Sequence, residues 1–215
     1  MKEFKDKKIW IYSKAHLPTK YGKFRIVVFH NNIDQKEHMA IIKGNVGNGE
    51  GIFVRIHSEC ITSEVLGSLK CDCREQLNSA LQFISENGRG VVLYMRQEGR
   101  GIGLGNKIRA YALQELGFDT VQANQHLGFP DDLRQYEVAA GMLLELGIIS
   151  VRLLTNNPKK IKGLEESGIS VIERIPIEIT PNKINEFYLR TKAEKSGHLL
   201  QFDQNPLEIE ILAEN

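Results

Sequence analysis

Long apolar runs are missing from this 215-residue chain, and their absence excludes whole classes of protein. No segment approaches the roughly 20 apolar residues that a membrane-spanning helix needs. The amino terminus, MKEFKDKKIWIYSKA, is charged and lacks the apolar stretch of a secretory signal peptide. With 41% hydrophobic and 26% charged residues, the composition is otherwise that of an ordinary folded protein. We therefore expect a cytoplasmic protein without a membrane partner.

A surplus of charge of either sign is also absent, since the formal net charge is +1. Proteins that bind nucleic acid over a broad surface usually carry a strongly basic face, so no nucleic-acid partner is predicted. A polyanion would have to be bound locally. The segment between Arg89 and Arg109 is suited to this, because it holds five basic residues and only one acidic residue, Glu98.

Cysteine is scarce, and all three cysteines fall within the fourteen positions from Cys60 to Cys73. An odd number fits a secreted disulfide framework poorly, whereas clustered cysteines in a reducing compartment are more often metal ligands. Three protein ligands and a water are typical of catalytic zinc, and four protein ligands of structural zinc. His57 would supply a fourth ligand, so the spacing leaves the open and the closed site equally supported. Buried or redox-active thiols are the remaining alternatives.

Neither an internal repeat nor a linker rich in proline, glycine and serine interrupts the chain, so one continuous domain is predicted. Four short segments rich in β-branched and aromatic residues indicate an antiparallel sheet at the start: 8–14, 24–30, 38–43 and 51–57. Helical periodicity follows Cys73 and stops at Asn87-Gly88.

Strand and helix patterns alternate from residue 90 onward. Strands are predicted at 90–96, 149–154 and 169–175, and helices near 105–116, 132–146, 158–167 and 183–195. Such alternation is typical of α/β units with parallel strands. The predicted fold class is therefore α/β (α+β), with N-terminal antiparallel strands leading into a mixed sheet with flanking helices.

A glycine-rich segment, RQEGRGIGLG, follows the predicted strand 90–96 directly. Alternating glycines allow backbone amides to approach a ligand closely, and Arg100 adds charge suited to phosphate. The segment is not a Walker A sequence and does not match the dinucleotide-binding fingerprint. A surface loop without a ligand is the competing interpretation.

A second candidate phosphate site is LTNNPKK, where Asn157 is a good N-cap and Pro158 suits the first helical position. The amino end of that helix would lie beside Thr155 and Lys160, an arrangement suited to phosphate. An ordinary capped helix with solvated lysines explains the pattern equally well.

The segment FPDDLR favours a simpler explanation, in which Asp131 or Asp132 caps a helix and Arg134 faces water. Tyr111 lies three residues after Ile108 on an amphipathic pattern, which is more typical of a core residue than of a catalyst. Residue chemistry alone therefore predicts a metal centre and a phosphorylated ligand.

Longer segments resemble GTP cyclohydrolase II, the enzyme that commits GTP to riboflavin synthesis. They are RIHSECITSEVLGSLKCDCREQL at 55–77, LYMRQEGRGIGLGNKIRAYALQELGFDTVQAN at 93–124, RLLTNNPKKIKGLEESGI at 152–169 and TKAEKSGHLL at 191–200. The resemblance extends over about residues 20–200.

This resemblance implies hydrolysis of GTP to 2,5-diamino-6-hydroxy-4-(5-phosphoribosylamino)pyrimidine, formate and pyrophosphate, the first step of riboflavin biosynthesis. It implies one Zn²⁺ per subunit on Cys60, Cys71 and Cys73, with the fourth position open to water and His57 outside the ligand set. Mg²⁺ is expected with the substrate phosphates, and a homodimer as the assembly.

The resemblance also implies roles for individual residues. Arg134 corresponds to a proposed nucleophile at the α-phosphorus, Asp132 to its proton acceptor and Tyr111 to a tyrosine that assists ring opening. A guanidinium stays protonated at neutral pH, so electrostatic support of the departing phosphates is the more conservative role for Arg134. The positions that correspond to GTP contacts are Arg55, Ile56, His57, Ser58, Glu59, Gln76, Glu98, Gly99, Arg100, Thr120, Thr155 and Lys160.

The domain organisation expected from the resemblance is an extension at 1–20, a catalytic domain at 21–200 and a tail at 201–215. A fused dihydroxybutanone-phosphate synthase domain is not expected. Some relatives stop at the formamidopyrimidine and lack the active-site tyrosine, whereas Tyr111 is present here. A nucleotide sensor with structural zinc and a redox dithiol are the alternatives from other functional classes.

Overall fold

The computed structural model describes residues 8–47 and 49–200. Its strands are β1 (Ile9–Thr19), β2 (Gly22–Asn31), β3 (His38–Lys43), β4 (Ile52–Ser58), β5 (Gly90–Met95), β6 (Ser150–Leu154) and β7 (Ser170–Ile175). Its helices are α1 (Ile61–Glu64), α2 (Cys73–Glu86), α3 (Leu104–Glu115), α4 (Thr120–His126), α5 (Glu137–Glu145), α6 (Pro158–Glu166) and α7 (Glu186–Ser196). A 3₁₀ turn covers Glu98–Gly101.

The described strands form one mixed sheet in the order β1-β2-β3-β5-β4-β6-β7. β1, β2, β3 and β5 pair antiparallel, whereas β5, β4, β6 and β7 pair parallel. The predicted fold class is confirmed, because antiparallel strands lead into a mixed sheet with flanking helices in a single α/β domain.

Helices cover both faces of the sheet, and each face has its own apolar core. On one face α5 and α6 pack through Met142 and Leu164 among side chains that include Phe29 and Ile56. On the other face α2 packs through Ala80, Leu81 and Ile84. β5 is buried along nearly its whole length, as expected of a central strand covered on both sides.

One topological prediction was wrong. The segment 51–57 was expected to extend the antiparallel sheet, but β4 pairs parallel with β5 and with β6. The chain crosses over through α2 between β4 and β5, so β3 becomes the antiparallel neighbour of β5 instead. Burial explains the difference, because Val54, Arg55, Ile56 and His57 are all buried and a half-exposed strand would alternate.

Other differences concern the ends of elements. β1 continues to Thr19 instead of ending at residue 14, and α5 begins at Glu137 instead of near residue 132. α4 was not predicted. It begins with a capping box, in which the Asp119 side chain accepts from the Gln122 amide and the Gln122 side chain accepts from the Asp119 amide.

The domain boundaries stay predictions. Part of the expected extension at 1–20 is β1, which is hydrogen-bonded to β2 within the sheet. The expected tail at 201–215 lies outside the described residues. Within the described ranges, no helix is long and apolar enough to cross a membrane.

Candidate active site

A pocket lies where the parallel strands β4, β5 and β6 end and their following loops meet. Carboxyl ends of parallel strands share one edge of the sheet, and this edge is the usual ligand site of open α/β folds. All the residues predicted at the site except Ile56 and Asp132 line the pocket. The other lining residues are Ile102, Lys107, Ala110, Gln114, Asn124, Asn156, Asn157, Tyr188, Lys192 and His198.

The three cysteine sulfurs form a compact cluster in this pocket. All three Sγ atoms lie within 4.8 Å of one another, and those of Cys60 and Cys71 are 3.6 Å apart. Two thiolates on a tetrahedral zinc, each about 2.3 Å from the ion, would be separated by roughly 3.8 Å. The donor set and its spacing therefore fit a zinc ion.

The three thiols shift the pKa of one another. Contact with Cys71 and Cys73 lowers the pKa of Cys60, helped by the nearby ammonium of Lys107. Contact with Cys60 raises the pKa of Cys71 and of Cys73. The cluster thus holds one sulfur readily as a thiolate, the form that binds metal.

His57, the candidate fourth ligand, does not join the sulfur cluster. Its Nε2 lies 2.8 Å from Oε1 of Glu64, and the same oxygen accepts the backbone N–H of Cys60 at 2.9 Å. The hydroxyl of Tyr94 donates to the other Glu64 oxygen at 2.6 Å. Burial lowers the pKa of His57, so a neutral ring donates from Nε2 to Glu64. Across residues 8–47 and 49–200, no histidine, cysteine or acidic side chain joins the three cysteines as a fourth member of the group.

The glycine-rich loop is held by the carboxylate of Glu98. One Glu98 oxygen accepts the N–H of Ile61 at 2.7 Å, and the other accepts the N–H of Gly99 at 2.9 Å and the ammonium of Lys107 at 2.8 Å. Gly99 and Arg100 both adopt left-handed backbone conformations, with φ of 62° and 57°. The loop therefore turns sharply beside the sulfur cluster.

Gly101 and Gly105 make a matched test of this loop. Gly101 has a φ of 96°, and an added Cβ would lie 3.1 Å from Cβ of Leu133. We expect Gly101→Ala to lower the free energy of unfolding by about 1–2 kcal/mol, because alanine disfavours left-handed backbone. Gly105→Ala, inside α3 with open space around it, should raise that energy by up to about 1 kcal/mol. Urea unfolding followed by circular dichroism measures both, and a stable Gly101→Ala would contradict the expectation.

The prediction that Asp131 or Asp132 caps a helix was wrong. α5 begins several residues later, after Tyr136, without a side-chain cap. Asp131 instead pairs with Arg100, and Asp132 holds Arg134 through two bonds, Nε–Oδ1 at 2.8 Å and Nη2–Oδ2 at 2.6 Å. The Asp131–Arg100 pair joins the loop after Pro130 to the glycine-rich loop, and the Asp132–Arg134 pair helps to hold Arg134 at the pocket rather than in water.

The Asp132–Arg134 pair determines the charge state of both groups. Burial favours neutral forms, but the mutual hydrogen bonds outweigh it, so the pKa of Asp132 is lowered and that of Arg134 is raised. Arg134 is therefore held as a cation, with NH1 3.5 Å from Oγ of Ser58.

The LTNNPKK segment folds as predicted. The Asn157 side chain accepts the N–H of Lys159 at 2.9 Å, and Pro158 occupies the first helical position of α6. The Thr155 hydroxyl accepts the N–H of Asn157 at 3.0 Å, which fixes the turn before the helix. The alternative of a solvated Lys160 is excluded, because its ammonium is buried and donates to the Ile56 carbonyl at 2.7 Å. Ile56 itself contributes this carbonyl and a core side chain, not pocket surface.

Positive charge exceeds negative charge in the part of the pocket around Lys160 and His198. Burial lowers the pKa of Lys160, and the nearby Arg55 and Arg134 lower it further. Burial lowers the pKa of His198 to about 2, with contributions from Lys192, Arg100, Arg134 and Lys160. The pocket therefore brings several cations close together, and this disfavours the charged forms of Lys160 and His198. An anionic ligand would offset the repulsion among these groups.

α7 and the residues after it contribute more of the pocket than the sequence indicated. The Lys192 ammonium lies 3.4 Å from Asp72, the residue between Cys71 and Cys73. The N–H of Leu199 donates to the Asn156 carbonyl at 2.8 Å, which brings the neighbouring His198 into the pocket. These residues belong to the segment TKAEKSGHLL, for which the sequence resemblance implied no roles of individual residues.

Tyr111 lines the pocket on α3 and is not a core residue of the apolar clusters. Burial raises the pKa of Tyr111 to about 12, so the phenol is protonated at neutral pH. Ammonium groups of Lys70 and Lys107 lie 4.9 Å and 5.7 Å from its ring centre. Thr120, at the start of α4, lines the same pocket.

The amino-acid sequence matches a family model described as GTP cyclohydrolase II over residues 11–176, more than half of the chain. The chain belongs to the GTP cyclohydrolase II family. Family membership confirms the resemblance found in the sequence. The matched range contains every predicted metal, catalytic and substrate-contacting position.

Curated proteins are similar to this chain in sequence. "Riboflavin biosynthesis protein RibBA" of Bacillus cereus (strain B4264) is 55% identical over 184 residues, which cover 86% of this chain and 46% of that protein. The protein of the same name from Chlorobium phaeovibrioides is 51% identical over 187 residues, covering 87% and 46%. The chain thus spans less than half the length of these relatives.

One solved structure is a weaker match. It is RibBX, a two domain 3,4-dihydroxy-2-butanone 4-phosphate synthase from A. baumannii, with a TM-score of 0.44 and 19% sequence identity. The match covers 80% of this chain and 41% of that one. A likeness at this level adds nothing to the fold or to the function.

Proposed function

We propose that this member of the GTP cyclohydrolase II family hydrolyses GTP to 2,5-diamino-6-hydroxy-4-(5-phosphoribosylamino)pyrimidine, formate and pyrophosphate in a zinc-dependent reaction, the first step of riboflavin biosynthesis. The observation that carries the proposal is that one pocket holds both a three-sulfur cluster and a cation-rich region. Opening a purine ring requires an activated water, and binding a triphosphate requires concentrated positive charge. The sulfur cluster would supply the first requirement and the cation-rich region the second.

Cys60, Cys71 and Cys73 would hold the zinc ion. When bound, zinc supplies a water of lowered pKa and polarises the atom that it contacts. Hydrogen bonds around the cluster orient the ligands: Glu64 accepts from the Cys60 backbone, and Asp72 is fixed by Gln76 and Lys192. An open fourth position is favoured, since His57 is engaged with Glu64.

The cation-rich side would bind the triphosphate with Mg²⁺ as a counter-ion. Arg100 and Arg134 would supply charge and Lys160 an N–H donor, while Thr155 and the amino end of α6 would supply hydroxyl and amide donors. Arg134, held as a cation by Asp132, would stabilise negative charge on the departing pyrophosphate.

The remaining predicted contacts would surround the nucleoside: Arg55, His57, Ser58, Glu59, Gln76, Glu98, Gly99 and Thr120, with Ile56 acting through its carbonyl. Tyr111 lies on α3 and lines the same pocket as the sulfur cluster, and its protonated phenol would donate to the opening ring. A homodimer is proposed from the family alone.

The test is an assay of the purified protein loaded with zinc and incubated with GTP and Mg²⁺. We expect formate, pyrophosphate and the diaminopyrimidine in equal amounts, with ATP as the control nucleotide. Product mass after chromatography identifies the alternative enzyme outcome, because a retained formyl group would mean that the reaction stops at the formamidopyrimidine. Release of neither formate nor pyrophosphate would contradict the proposal.

A further inference from the structure

Lys107 makes the closest charged contact to the sulfur cluster among the described residues. Its Nζ lies 3.1 Å from Sγ of Cys60, 2.8 Å from Oγ1 of Thr62 and 2.8 Å from Oε1 of Glu98. An ammonium has three N–H groups and no acceptor, so these three partners use its whole donor capacity. Nothing in the sequence motif separated Lys107 from the other basic residues around it.

The backbone fixes this lysine from two sides. The N–H of Lys107 donates to the Gly103 carbonyl at 3.1 Å in the first turn of α3. The glycine-rich loop passes directly over the side chain, since a Cβ at Gly99 would lie 3.1 Å from Cβ of Lys107. The side chains of Lys107 and Glu98 are only 12% and 10% exposed. The ammonium therefore has little freedom to turn away from Cys60.

We propose that Lys107 is a positioning residue of the metal centre, which donates an N–H···S hydrogen bond to the Cys60 thiolate and couples it to the glycine-rich loop through Glu98. The proposal rests on the proposed function, because it takes the three sulfurs to be zinc ligands. Three thiolates and one Zn²⁺ carry a net charge of −1, and the ammonium, which the cluster shares with Glu98, places a positive charge directly against the Cys60 sulfur. Such a bond fixes the orientation of the ligand toward the metal and draws electron density from the sulfur.

The same contacts would also be made if Lys107 had a purely structural role, but the expected effects of its removal would differ. If Lys107 serves only as the counter-ion of Glu98, its removal should weaken the loop and leave the metal centre unchanged. The readouts must therefore report on the metal and sulfur rather than on activity. Zinc affinity and the spectrum of the cobalt(II)-substituted protein do so without substrate.

The main variant is Lys107→Met, which keeps the length of the side chain and removes the charge and the donors. We expect its zinc affinity, measured by competition with a chromophoric chelator, to fall about tenfold or more. The sulfur-to-cobalt charge-transfer band should shift to longer wavelength, because a thiolate without the N–H···S bond is richer in electrons. Arg109→Met is the matched control: it removes one cation from the exposed face of the same helix, where Arg109 donates to Asn106. It should leave both readouts unchanged.

Lys107→Gln keeps N–H donors without the charge and serves if Lys107→Met does not fold. Its zinc affinity and band position should fall between those of the wild type and the values expected without any donor. An unshifted band and unchanged zinc affinity in the folded variants would overturn the proposal. Failure of the proposed function is seen separately, as wild-type protein that binds zinc through its thiols yet releases no formate from GTP.

Discussion

Cys73→Ser is expected to abolish formate release from GTP and to remove zinc, while the chain remains folded. A neutral serine hydroxyl is a poor zinc ligand compared with a thiolate, so we expect zinc affinity to fall at least about a hundredfold, beyond the usual effect of an outer-shell change. The fold should persist because the two apolar cores form without the cysteines, through residues such as Ile56 on one face and Ile84 on the other.

Three measurements on Cys73→Ser separate the interpretations of the cluster: zinc per chain by elemental analysis, formate by a coupled assay, and folding by circular dichroism. Ser79→Ala, on an exposed position of the same helix, is the control and should match the wild type in all three. An unfolded variant would favour structural zinc and a nucleotide-sensing role. A variant that keeps both zinc and activity would remove Cys73 from the ligand set.

Local patterns predicted most elements because their causes are local. Asn157 and Pro158 start α6 through contacts within one turn, and Asn87 ends α2 where expected. The pairing of β4 was not predictable in the same way. Its partners lie more than 30 residues away at β5 and almost 100 away at β6, and their choice depends on which faces α2 and α5 cover.

The errors at the site likewise arise where contacts between residues distant in sequence, and not local patterns, determine the structure. Asp131 and Asp132 fit a local rule for helix caps, but in the folded chain they pair with arginines, which costs less than leaving partly buried guanidinium groups unpaired. Lys107 and Lys192 stand among other charged residues and show no distinguishing local pattern. Only the folded chain brings Lys107 to Cys60, 47 positions earlier, and Lys192 to Asp72, 120 positions earlier.

Arg134→Lys is expected to lower kcat by about 10²- to 10³-fold, the usual cost of removing a donor aimed at charge that develops in the transition state. Lysine keeps the charge, but its single nitrogen cannot reproduce the planar fork that spans both Asp132 oxygens and directs a further N–H to the pocket. Steady-state kinetics with GTP measure the effect. Arg152→Lys is the matched control, because Arg152 is 45% exposed and pairs with Glu173 on the sheet surface.

A covalent role for Arg134 leads to a different result. To attack the α-phosphorus and displace pyrophosphate, the guanidinium would have to lose a proton, yet the Asp132 pair raises the pKa of Arg134. The lowered pKa of Asp132 also makes that carboxylate a weak proton acceptor. We therefore expect intact-mass analysis of wild-type protein quenched during turnover to show no guanylyl adduct. An adduct located at Arg134 and absent from Arg134→Lys would overturn the electrostatic role and establish Arg134 as the nucleophile.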